Sequence, residues 1–560
     1  MASKAGHESV KVGPSPPLEC PMPRHGLVAA ALIATSIAAP AAAEPAMHLS
    51  PTGTGQVLIY PYYTTHGGLT TVFTLGNPTF DVKAVRVRVL EGVNAKPVQQ
   101  LNLYLSPFAT FAAAIAPGGG DDQPARLVTQ DPGCTVPEIP SAGLPFTTAA
   151  FTGPNQDWDA AGTPADRAAR LASPLRTRDG HLEVIEMGVL RADSGPALAA
   201  TISRATGRPA NCGLLRAFWE PGGIWTANPG AHVEPPRGGL RGEAVVVEVA
   251  AGLAYGYAAI GIEDFYTDTA APAALHTAPT NPMPDLRSAR STANAVRVAL
   301  PRGPGDEPRI ETFAAGSPRP DPVTLLLMAS ALRSEFSLDP ALGSETEWVY
   351  AMPTRRWYVE GGTAASPFTR AFAPTGRACE PAEPMAIFRT GIPAPRQGDQ
   401  ATSAVVSPWR TRSVLCASTS VVAARHVARG APLRLLRARE GLTGFLLGDF
   451  PGWSPDGGFL APVDAPDIAS NPVPLPPALF DDYDVVTGSG VLLLSLWTPN
   501  RTFVAPSGRA YFGLPVVGVA FTRYVNANAQ PGLLANYGVA MPVTVEQRDR
   551  PPARPAPATW

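Results

Sequence analysis

The residues able to do chemistry in this chain are scattered, and their spacing excludes most enzyme signatures. Beyond residue 43 the histidines are His48, His66, His181, His232, His276 and His426, each alone in sequence. No His-Glu-x-x-His occurs, so the two-histidine zinc face of a metalloprotease helix is missing. Nor does Gly-x-Ser-x-Gly occur. The nearest stretch, Gly452 to Asp456, reads Gly-Trp-Ser-Pro-Asp. Its Pro455 has no N–H to lend to an oxyanion hole, so it reads as a turn. Asp179 and His181 would need a distant serine to make a triad, a pattern too common to carry weight. Asp481, Asp482 and Asp484 offer oxygens to calcium but lack the spacing and the glycine of a calcium loop. They read as a solvated acidic turn.

Glycoside hydrolysis needs two carboxylates roughly 5–9 Å apart. Glu183 and Glu186 share a strand pattern but are three residues apart, which points them to opposite faces. Glu263 and Asp264 are adjacent and diverge as well. Carboxylates brought together from separate strands stay open at this level. No Gly-rich loop follows a strand and opens a helix, so nucleotide binding has no support. No catalytic residue, metal ligand or cofactor is therefore expected.

Two aromatic groups are candidates to face a ligand: Tyr60, Tyr62 and Tyr63 beside Pro61, and Trp348, Trp357 and Tyr358. Exposed, they would stack on sugar rings; buried, they would close a core, the more ordinary use of such residues.

Residues 22–43 read as a secretory signal. Arg24 and His25 precede the apolar run Leu27–Ile37, and small residues at 41–43 suit cleavage before Glu44. The run is shorter than the about 20 residues that span a bilayer. Met22 reads as a natural start, with residues 1–21 as an N-terminal extension. Beyond residue 43 the cysteines are Cys134, Cys212, Cys379 and Cys416. An even number in an exported chain suggests two disulfides. Three connectivities exist. Cys134–Cys212 with Cys379–Cys416 is preferred, because each pair stays within one half of the chain.

Composition narrows the body of the protein. The 560 residues allow two or three domains. Net charge is −2, which gives no nucleic-acid footprint. Charged residues are only 16%, and the 64 prolines and 53 glycines are spread without a period. Proline is excluded from helix interiors and central strands, so short apolar runs between prolines point to strands joined by turns.

The runs 56–60, 70–75, 84–90, 101–105 and 108–116 read as strands, with Pro61 ending the first. Val85, Val87 and Val89 alternate with Arg86 and Arg88, the period of a half-buried strand. Further strands are expected at 181–190, 243–249, 253–262, 347–352, 356–359, 414–424, 442–447, 491–497 and 516–525. Short helices fit 196–204 and 212–219, and 268–293 reads as a loop. The clearest helix is 322–334, capped by Asp321, with Pro322 in its first turn and apolar residues all round.

The stretches Gly53–Tyr63, Val85–Pro107, Phe336–Gly343 and Trp348–Val359 resemble a family of exported proteobacterial proteins described as hypothetical or cell-surface. The resemblance runs through most of the chain after residue 43, including both cysteine pairs. It implies a location outside the cytoplasm and little chemistry.

Together these features predict a mainly β protein of two immunoglobulin-like or β-sandwich-type domains with a few short helices. Residues 1–43 would be extension and signal peptide, 44–295 the first domain, 296–547 the second, opening with a buried helix, and 548–560 a Pro-rich tail. The expected product is exported to the periplasm, cell surface or medium. It has no transmembrane segment in the mature chain. It binds a protein or glycan of the envelope, or has a structural role. An extracellular hydrolase acting on a glycan or polyester is the alternative.

Overall fold

Alternating apolar residues between turn signals build strands here, and the strands assemble twice in the same way. The computed structural model describes residues 44–120, 122–156, 165–271, 273–301, 306–338, 342–372, 380–388, 413–415, 417–425, 434–436, 488–526, 530 and 535–549. Every described strand and helix lies in the unit that begins at Pro45. The protein is mainly β, with several antiparallel sheets and few short helices.

Ten principal strands frame the first sandwich: β1 (Val57–Thr64), β2 (Leu69–Gly76), β3 (Val82–Glu91), β4 (Pro97–Leu105), β5 (Thr110–Ala116), β6 (Arg126–Val128), β7 (Asp179–Leu190), β8 (Leu240–Glu248), β9 (Leu253–Ala258) and β10 (Ile260–Glu263). One sheet runs β10-β1-β7-β3-β4 and the other β6-β5-β2-β8-β9, each extended by shorter strands. Among the described residues ten more make the second: β11 (Ala331–Leu338), β12 (Ser344–Ala351), β13 (Glu380–Phe388), β14 (Ser413–Leu415), β15 (Thr419–Arg425), β16 (Arg434–Leu436), β17 (Gly488–Ser495), β18 (Val517–Tyr524), β19 (Tyr537–Pro542) and β20 (Thr544–Glu546). Their sheets run β20-β11-β17-β13-β14 and β16-β15-β12-β18-β19. Adding ten to each label of the first sandwich gives the second. The chain folds the same ten-strand pattern in tandem.

The sandwiches share a core. Phe521 of β18 packs against Tyr62, Tyr255 and Tyr257 of the first sandwich, with ring centroids 6.2, 5.6 and 5.9 Å away. Corresponding edge strands β9 and β19 lie side by side, and Asn536 Nδ2 donates to the Ala251 carbonyl (2.9 Å). At the β3–β4 turn, the N–H groups of Ser418 and Thr419 donate to Val93 and Gly92 (3.0 and 2.8 Å).

Several elements differ from the sequence expectation. Pro61 does not end β1. It sits at a register shift against β7, beyond the last residue paired with β10, where no ladder donor is needed. The helix expected at 322–334 stops after six residues, α3 in the series α1 (Gly195–Ala200), α2 (Cys212–Ala217), α3 (Asp321–Leu326) and α4 (Arg356–Val359). Leu332, Ser334 and Phe336 point inward while Arg333 and Glu335 are exposed, so period two takes over and forms β11. Asp321 lies inside α3 rather than capping it, and accepts from the Tyr358 hydroxyl. Residues 356–359, expected as a strand, form α4. The stretch 414–424 splits into β14 and β15.

Candidate functional site

A dense group of buried ionisable residues lies in the first sandwich, and a smaller one, including the Arg501–Glu380 pair (3.0 Å), lies in the second half. The alternation in β3 predicts a half-buried strand with its arginines in solvent. Instead all ten of its residues are buried, and Arg86 and Arg88 are 0% and 1% exposed. The β3–β7 register sets Arg88 opposite Glu183, and Arg88 Nη1 donates to Glu183 Oε2 at 2.5 Å. His181, two residues along β7 and on the same face, brings Nε2 to 3.7 Å from Glu183 Oε1. Both ring nitrogens of His181 and Glu183 Oε1 are buried without a hydrogen bond.

Glu183 and Glu186 do face opposite sides. Glu186 pairs with Lys83 Nζ (2.7 Å) and accepts from the backbone N–H groups of Arg237 (3.1 Å) and Gly238 (2.8 Å). Burial raises its pKa, with Lys83 pulling the other way. Burial likewise raises Asp179, which His66 opposes from 3.8 Å. At the end of β3, Glu91 accepts from the N–H groups of Val93, Asn94 and Lys96 and from two nitrogens of Arg176 (2.7 and 3.0 Å). Arg355 donates to the Val93 carbonyl from the second sandwich (3.3 Å). Burial pushes its pKa down to about 10, with Glu380 and Glu91 opposing.

The loop after β10 covers the charged face. Arg86 donates to the carbonyls of Thr277 (3.1 Å), Ala278 (2.8 Å) and Asn281 (2.7 Å). Burial, then the neighbouring Arg88, lowers its pKa to about 9. Beside it lies an aromatic nest. Trp219 Nε1 donates to the Tyr104 hydroxyl (2.8 Å), which contacts His276 Nε2 (3.1 Å), while His276 Nδ1 lies 2.5 Å from the Pro229 carbonyl. That carbonyl requires a proton on Nδ1, and with burial keeping the ring neutral Nε2 accepts from the Tyr104 hydroxyl. Burial holds the His276 pKa down at about 4. Trp225 stacks on Tyr104 with centroids 5.2 Å apart.

Next to this nest, Cys134 and Cys212 are joined in a disulfide. Cys379 and Cys416 lie outside the described residues, as do the 452–456 turn, the 481–484 acidic run and the signal-like segment. Tyr60, Tyr62, Tyr63 and Trp348 are 0% exposed and Tyr358 is 2%, so these rings are spent on the core; Trp357 alone is partly exposed. The ligand-facing alternative therefore has little surface on which to act. Among the described residues no group of three metal-binding side chains occurs, and no helix is long and apolar enough to cross a membrane.

Sequence reasoning missed Lys83, Arg86, Arg88 and His276. The available signal was the placement of Asp179, His181 and Glu183 on alternate residues of one strand, matching the arginines of β3. Comparison of the chain with protein-family models, with curated proteins and with solved structures returns no match.

Proposed function

We propose that this is an exported envelope or cell-surface protein with a binding or structural role rather than a catalytic one. The observation that carries the reading is where the chemistry-bearing side chains lie. Glu183, Glu186, Glu91 and Asp179 are all at most 5% exposed, and each lies against a basic partner. Held this way, they fix strands and loops, and solvent does not reach them. The Cys134–Cys212 disulfide supports an oxidising compartment, as does the signal-like run at 22–43. The partner sought is a component of the envelope.

Fractionation of the native host with intact-mass analysis tests this. A mass matching cleavage after Ala43, less the hydrogens of the disulfides, in an extracytoplasmic fraction is the expected result. An uncleaved cytoplasmic protein with free thiols would overturn the location. Turnover of an envelope polymer, abolished by one point substitution, would overturn the non-catalytic role.

A further inference from the structure

The end of the first sandwich away from the second one carries an unusual surface. Strand β3 joins the two ends. Its last residue leads into the turn that receives Ser418 and Thr419, whereas its first follows the loop holding Phe80. Ten residues of strand separate these ends by about 30 Å. Phe80 is 87% exposed and Phe108, on the β4–β5 loop, is 61% exposed. Their rings meet edge to face, with centroids 4.8 Å apart at 87°.

This tip is built rather than frayed. Asn77 Nδ2 donates to the carbonyls of Asp81 (2.7 Å) and Ser106 (3.0 Å), and Asn77 Oδ1 accepts from the Thr79 hydroxyl (2.7 Å). Phe108 has φ +57, a left-handed conformation rare for a bulky residue. Strain of that kind persists where surrounding structure enforces it. Ser106 Oγ also accepts from the Ile202 N–H (3.0 Å), which ties the tip to the 201–210 turn. Ile202 and Leu198 are 36% and 57% exposed. Arg204 and Arg208 lie at the end of that turn, exposed and without an ion pair among the described residues.

We propose that this tip docks on an anionic lipid bilayer surface. Phe80, Phe108, Leu198 and Ile202 would enter the interface, with Arg204 and Arg208 against the phosphates. Apolar insertion combined with basic residues is the chemistry of interfacial binding. The inference rests on the binding reading and names its partner class.

Cosedimentation of the full chain with phosphatidylcholine vesicles, with and without phosphatidylglycerol, tests it. The apolar run 27–37 is common to all variants, so only differences between them count. Phe80→Ser with Phe108→Asn should weaken binding about tenfold or more on phosphatidylglycerol vesicles; Asn tolerates the left-handed backbone, so the thermal midpoint should not fall. Arg204→Glu with Arg208→Glu should remove the preference for phosphatidylglycerol, as high salt should in the parent. Parent-like binding by both double variants would overturn the proposal. So would a change in oligomeric state, or in binding to cell-wall glycan, with vesicle binding intact. Failed export would appear only on fractionation and would leave the vesicle result standing.

Discussion

Arg88 and Glu183 face each other across β3 and β7, 2.5 Å apart, and neither is more than 1% exposed. Removing one partner leaves a buried charge uncompensated, which costs about 3–5 kcal/mol. Glu183→Leu and Arg88→Met should each lower the denaturant midpoint accordingly. The double variant Arg88→Met with Glu183→Leu should lose much less than the sum, because no charge is stranded. Additive losses would show that the pair is not coupled.

His276 makes stability depend on pH. Its native pKa is about 4 against 6.5 for a free histidine, so the unfolded chain takes up the proton first. Its contribution is full above pH 6.5, falls as pH drops and levels off below about 4. Asp179 and Glu186, both raised, act with the opposite sign: their contributions are lost as pH rises through their folded values. The difference in unfolding midpoint between the parent and His276→Gln, followed from pH 7 to 4.5, isolates the histidine. It should narrow toward the acid end; a constant difference would mean that His276 is not held neutral.

Phe108 offers a backbone test. A left-handed conformation costs an L-residue about 1–2 kcal/mol, and glycine is exempt. Phe108→Gly should be more stable than Phe108→Ala by roughly 1 kcal/mol, since both lose the same ring. Equal thermal midpoints would mean that the loop relaxes in the alanine variant.

The Cys134–Cys212 bond ties a short strand beside β4 to α2. Replacing both cysteines by serine should cost about 2–4 kcal/mol, chiefly through the freed unfolded chain. Thermal unfolding with and without reductant checks this: reductant should lower the parent midpoint more than that of the double variant.

The period-two stretches were legible as strands. Val85, Val87 and Val89 pointed to β3, and 347–352 and 516–525 correspond to β12 and β18. What alternation cannot reveal is what covers the other face. Arg86 looks like a solvent residue until the loop at 277–281 closes over it, and Arg88 until Glu183 of β7 meets it. At 322–334 the apolar run hid a change of period, because a continuous run of Val, Leu and Met suits a buried helix and a buried strand equally. The tandem pattern was not legible at all. Strand β7 carries Asp179, His181 and Glu183, while its counterpart β17 is Gly488–Ser495, with no charge. Pairing order is kept between the halves while side-chain chemistry is not.

The contact between β9 and β19 bears on how this protein could fail. An uncovered edge strand presents a row of free N–H and C=O groups, a template for adding further chains. Each of these two edges shields the other, and a Cβ on Gly538 would fall only 2.4 Å from the Tyr255 ring, so the fit leaves no slack. A fragment ending between the sandwiches, or a chain whose second half is slow to fold, would carry β9 unshielded. Its fate would be self-association into β-rich aggregates, which gives both halves a reason to stay on one polypeptide.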